Sequence, residues 1–148
     1  MIQIKTYKIY TAGKMGGLTY EQQMLWRSQI EYLVKKQTDK PVNFIHPPMF
    51  YQYGQNYHKS EREAMIWDIS QIKDSDIVVV DLNTIADSIG THIELGITEA
   101  MNEFGYKHIH VIGIGEPNTD HPWIPLTTLR IEPTVEKAAE YIVNYLLV

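Results

Sequence analysis

Glu94 and Asp68 are the two carboxylates whose places in the chain invite chemistry. Glu94 lies in Asp87-Ser88-Ile89-Gly90-Thr91-His92-Ile93-Glu94-Leu95-Gly96, shortly after the apolar run Ile77-Val78-Val79-Val80. That spacing puts it in the first turn of a helix, at the carboxyl end of a parallel strand, where open α/β sheets build their sites. A first-turn acid also complements the helix dipole, which is the competing explanation. Asp68 precedes the same strand. At 100° per residue it falls about 40° from Ile72 and about 60° from Met65 around a helix, at the edge of an apolar stripe. Burial there would raise its pKa and let it hold a proton near neutral pH, whereas a helix-surface aspartate would stay ionised.

Other residues stand ready to assist. Tyr10, near the end of the first strand, could orient a carboxylate with its hydroxyl, or be an ordinary strand aromatic. Gly13-Lys14-Met15-Gly16-Gly17 follows that strand and precedes a helix. Backbone N–H groups in such a turn can cradle an anion. The turn matches neither the dinucleotide fingerprint nor a P-loop, so a merely flexible turn is the other reading. Gly90 would let backbone approach a ligand, and Gly96 would permit close helix–sheet packing. The six histidines show no H-x-x-x-H spacing, and His108 with His110 lacks a third ligand, so no metal is expected. Asp81 occupies a strand end like a phosphoacceptor, but the first strand lacks the acidic pair that would hold magnesium beside it.

The elements that must position these groups alternate. Lys8–Ala12 ends a first strand, and Thr19 to about Lys36 reads as a helix with Met24, Leu25, Ile30, Leu33 and Val34 at helical spacing. Val42–His46 is a second strand, stopped by Pro47 and Pro48. Residues 47–60 have no clear period and are rich in aromatics, including Tyr51, Tyr53 and Tyr57, which suits a pocket wall or lid. Glu61–Ile72 reads as a helix with Met65, Ile69 and Ile72 as its buried stripe. Asp76–Leu82 is a central strand, covered on both faces. A helix from about Gly90 to Phe104, a strand His108–Ile114, a short strand Thr128–Ile131 and a helix Val135–Leu147 complete the pattern. The expected fold is one α/β domain over residues 1–148: a flavodoxin-like, Rossmann-like three-layer sandwich around a mainly parallel five-stranded sheet.

Composition narrows the function classes. A length of 148 residues suits one core, and 44% hydrophobic with 21% charged residues is ordinary for a globular domain. A net charge of -5 argues against a nucleic-acid polymer as partner, while leaving room for a small anionic ligand. The absence of cysteine removes disulfides, thiol nucleophiles and cysteine-held metal sites. Met1–Thr6 has no signal-peptide pattern and no apolar run spans a bilayer, so a cytoplasmic protein without membrane partner is expected.

Four segments in order resemble the nucleoside 2-deoxyribosyltransferase family: Ile9-Tyr10-Thr11-Ala12-Gly13, then Trp67–Asp76 with its D-x-x-x-I-x-x-S-D pattern, then Ile77–Asn83, then Gly90-Thr91-His92-Ile93-Glu94-Leu95-Gly96. The resemblance covers most of residues 7–115. It implies that Glu94 is the nucleophile at the anomeric carbon, that Asp68 moves a proton to or from the base, and that Tyr10 assists Glu94. Gly13, Lys14, Gly16, Asn83, Ser88 and Gly90 become the substrate-binding candidates. It further implies no cofactor, nucleosides, nucleotides or free nucleobases as partners, and a homo-oligomer with shared sites. Ser88 stands where the transferases usually carry an aspartate. The related 2-deoxynucleoside 5-phosphate N-hydrolases, which are also similar, have a serine there for phosphate. Their first turn is one residue longer than this one and carries an arginine. Lys14 could replace that arginine only as a point charge. Transfer of deoxyribose to an acceptor base is therefore the leading expectation. Hydrolysis of a monophosphate and non-catalytic nucleotide binding are the alternatives.

Overall fold

The computed structural model describes residues 3–51, 58–116 and 121–148. Five strands, β1 Tyr7–Ala12, β2 Val42–Ile45, β3 Ile77–Asp81, β4 His110–Ile114 and β5 Arg130–Glu132, form one sheet in the order β2-β1-β3-β4-β5. Every pairing is parallel, with Tyr10 opposite Val78 and Ala12 opposite Val80 in the central pair. This is the flavodoxin-like α/β fold. The apolar β3 is buried from Ile77 to Val80, as a central strand covered on both faces must be.

Alternation along β1 feeds two cores. Ile9 packs with Ile30 and Val34 of α1 (Tyr20–Gln37) and Ala138, Ala139 and Ile142 at the chain's end. Tyr10 and Ala12 face the other way, toward Ile72 of α2 (Glu61–Lys73) and Leu95 of α3 (Ile89–Glu103). Side chains start three of the helices. Thr19 and Gln22 form a reciprocal capping box on α1, Ser60 caps α2 through the Glu63 N–H, and Thr134 caps α4 (Val135–Tyr141) through the Lys137 N–H. No helix of the described residues is long and apolar enough to cross a membrane.

Several sequence expectations need correction. α3 begins at Ile89 because a 3-10 turn over Ile85–Asp87 delivers the chain to Ser88, so Glu94 lies in the second turn, beyond the strongest part of the helix dipole. Met65 is 44% exposed; the inward line of α2 runs Ala64, Asp68, Ile72, four residues apart. Leu25 is likewise exposed, and Arg27 takes the inward position beside Ile30 and Val34. Gly96 makes no close helix–sheet contact, since a Cβ there would meet open space. Pro47–Phe50 forms a 3-10 turn inside the region read as aperiodic, and the closing helix passes into a π-helical turn over Ile142–Leu146. Tyr53 and Tyr57 lie outside the described residues.

Candidate active site

In a parallel sheet of this order, the chain leaves β1 and β3 toward opposite faces, and a crevice opens at their carboxyl ends. The turn Gly13–Gly17 after β1 and the segment from Asp81 to Ser88 after β3 form its rim. Gly13 has to be glycine there: a Cβ would stand 2.9 Å from the Trp26 ring and 3.4 Å from both Arg27 Nη2 and Asp81 Cβ.

Two adjoining cavities occupy the crevice. One, of about 400 Å³, is lined by Gly13, Lys14, Gly16, Ser88, Thr91 and the shared residues Asp68, Gly90 and Glu94. The other, of about 180 Å³, is mainly apolar, with Ala64, Met65, Ile69, Ile93 and Ile97 around the same three shared residues and Tyr51 at its edge. Both carboxyl groups thus stand where the two cavities adjoin, with the polar side chains of Lys14, Asp87, Ser88 and Thr91 on the side of the larger one. Such a junction suits a ligand with one polar and one flat apolar part.

The two carboxyl groups are held differently. Tyr10 has no exposed surface, and its hydroxyl donates a short hydrogen bond to Glu94 Oε2 across 84 residues of chain. Tyr51 reaches Asp68 Oδ2 at only 3.5 Å, the limit of a hydrogen bond. Asp68 Oδ1 is buried with no partner among the described residues. Burial raises Glu94 to about 7; the Tyr10 hydrogen bond pulls it down, Asp68 pushes it up, and Arg27 pulls it down. Burial likewise raises Asp68 to about 7, against weaker pulls from Tyr51 and Arg27. Both carboxyl groups are thus raised toward neutrality, and the charge of Asp68 acts on the titration of Glu94. The Tyr10 hydrogen bond favours the ionised form of Glu94, and Asp68 has the more weakly held donor in Tyr51. Burial and the charge of Glu94 push the Tyr10 hydroxyl well above its ordinary range, so it remains a donor.

At the mouth of the larger cavity, Lys14 Nζ lies 3.8 Å from Asp87 Oδ2 and ties the two rims together. Ser88 offers no side-chain cap to α3; its hydroxyl pairs with that of Thr91 at 2.6 Å. Asn83 lines neither cavity. Its amide oxygen lies 2.8 Å from where a Cβ of Gly115 would be, and its N–H donates to Asp81. Asp81 itself is occupied by Asn83 and Thr84, in keeping with its rejection as a phosphoacceptor. No group of three or more metal-ligating side chains occurs among the described residues.

Sequence reasoning missed Arg27. It sits on the inward face of α1 with no exposed surface, its Nη1 donating to the Gln23 carbonyl at 2.6 Å and its Nη2 to the Gly13 carbonyl at 3.1 Å. A charged residue within the apolar spacing of α1 was the available signal, but amphipathic periodicity alone assigns such a residue to solvent.

No family model matches the chain, and no curated protein matches it. Among solved structures, it is similar to the TIR domains of the activated Roq1 resistosome that directly recognises the pathogen effector XopQ, at 11% identity and a TM-score of 0.45, over 95% of this chain and 73% of that one.

Proposed function

We propose that the chain cleaves the N-glycosidic bond of 2-deoxynucleosides and transfers the deoxyribosyl group to an acceptor nucleobase. The observation that carries this reading is the Tyr10–Glu94–Asp68 constellation: two carboxyl groups facing shared cavities, both raised to about 7, with unequal hydrogen-bond support.

Cleaving the bond leaves positive charge on the sugar and negative charge on a poorly leaving base. An ionised and a protonated carboxyl group answer both, as in retaining glycosidases. The sugar occupies the larger cavity, beside the hydroxyls of Ser88 and Thr91, and the base the smaller one, which puts the anomeric carbon between them. Glu94 Oε attacks that carbon as the bond to the base nitrogen breaks, its electron pair leaving with the base. Asp68 delivers its proton to the base. Tyr10 holds the attacking carboxylate in orientation. In the second half-reaction an acceptor base attacks the glycosyl ester, its proton passes to Asp68, and Glu94 is released. Met65 and Ile93 at the smaller cavity and Ile89 at the larger leave apolar surface exposed, which favours a second copy of the chain completing the site.

One observation favours a second reading, hydrolysis of 2-deoxynucleoside 5-monophosphates. Lys14 and Ser88 both line the cavity in front of α3, where a cation and a hydroxyl suit a phosphate. The test is incubation with deoxynucleosides, with and without an acceptor base, and with the monophosphates, followed by product analysis. Base exchange supports transfer, and base release from monophosphates alone supports hydrolysis. Tight nucleotide binding without turnover would mark a non-catalytic module, and no base release from any substrate would refute the catalytic reading. In an active protein, Glu94→Ala should lose at least roughly 10²-fold in turnover.

A further inference from the structure

A fully buried arginine usually faces a carboxylate, because an uncompensated charge inside a protein is costly. Arg27 does not: the ion pairs of the described residues do not include it. Its Nη atoms satisfy two backbone carbonyls, its Nε has no partner among the described residues, and its Cζ lies 4.9 Å from the centroid of the Trp26 ring. One of those carbonyls belongs to Gly13, the first residue of the turn that walls the larger cavity.

We propose that Arg27 is a positioning residue of this site: it pins the Gly13 carbonyl of the β1–α1 turn and sets a positive charge behind the wall of the cavity that Glu94 and Asp68 line. The surrounding charges fit that role. Asp68 on α2, Asp81 at the end of β3 and Glu94 on α3 act electrostatically on the guanidinium, the Tyr10 hydroxyl on β1 stays neutral, and His46, after β2, lies within its field. Of these acids, Glu94 and Asp68 line the cavity that Gly13 also walls. Arginine is required because a planar fork can hold two carbonyls at once and stays charged when buried, whereas lysine does neither well. The word "positioning" rests on the reading of Glu94 as nucleophile; the electrostatic and structural parts do not.

The experiment compares Arg27→Met and Arg27→Lys with the unaltered chain, by carboxyl-carbon NMR titration and by amide exchange over residues 13–17. A nearby cation favours the ionised carboxylate, so its removal raises the affinity for protons. Arg27→Met should raise the midpoints of Glu94 and Asp68 by roughly half a unit or more. If the protein is active, the acid limb of its pH–rate profile should move up with them. Arg27→Lys, which loses the fork, should exchange the turn amides about tenfold faster, the equivalent of one charge-assisted hydrogen bond. A folded Arg27→Met variant with unmoved midpoints overturns the proposal. If that variant does not fold, unchanged exchange in Arg27→Lys overturns it and faster exchange upholds it. Moved midpoints in a chain without glycosidic activity would refute the proposed function and leave this role of Arg27 standing.

Discussion

Replacing Glu94 by glutamine tests the electrostatics of the crevice without any substrate. Burial raises the Glu94 carboxyl from its ordinary 4.5 to about 7. The folded protein therefore binds this proton more tightly than the unfolded chain does. Its stabilising contribution is complete below about pH 4.5, the unfolded value, and is lost as pH rises through about 7. Above that, folding buries an ionised carboxylate at a disadvantage on the order of 3 kcal/mol, taking about 1.4 kcal/mol per unit. Glutamine mimics the protonated acid in shape, and its amide oxygen still accepts the Tyr10 hydrogen bond. At pH 8.5 Glu94→Gln should therefore be more stable than the unaltered protein by on the order of 2–3 kcal/mol. With a urea slope of about 2 kcal/mol/M, this is a midpoint shift of roughly 1 M or more. Near pH 4 the two should unfold together. Urea titrations at both pH values decide it. Equal midpoints at pH 8.5, or a variant destabilised at both, would refute the claim that Glu94 is held against its charged form.

Other perturbations follow from the same geometry. Asp68→Asn should lose roughly 10²-fold in turnover on natural bases and much less on a 2-deoxyribosyl substrate whose leaving group needs no proton, measured by product release. In an active protein, the apparent pKa values on the two limbs of the pH–rate profile should fall on either side of about 7 and belong to the Glu94–Asp68 pair rather than to either residue. Gly113→Ala should destabilise by about 1–3 kcal/mol in thermal or urea unfolding, because its Cβ would meet Leu82 Cδ1 at 2.6 Å inside the sheet. His46→Ala should destabilise by about 2–3 kcal/mol in the same measurement, since His46 is buried and its two ring nitrogens bond Thr11 at 2.8 Å and Glu31 at 2.6 Å.

Local physics wrote much of this fold legibly. The run Ile77–Val80 announces a central strand, apolar spacing from Thr19, Glu61 and Val135 announces helices, and strand–helix alternation dictates a parallel sheet with helices on both faces. The carboxyl end of that sheet is then the place for a site, and Glu94, Asp68 and the Gly13 turn could be assigned to it from order alone. Their meeting could not. The Tyr10 hydroxyl and the Glu94 carboxylate are 84 residues apart, and only the packing of α3 over β1 joins them. Packing likewise turned Met65 outward and Asp68 inward on one helix, moved Asn83 away from the cavities, and buried Arg27 under Gly13. A hydrophobic period identifies one face of a helix, but not which neighbour covers it or where that cover ends. Residue types and spacing by themselves determined the architecture and nominated two carboxylates. The tertiary structure alone decided that these share a crevice and that both are raised toward neutrality, because desolvation and hydrogen-bond geometry exist only once distant segments have closed around them.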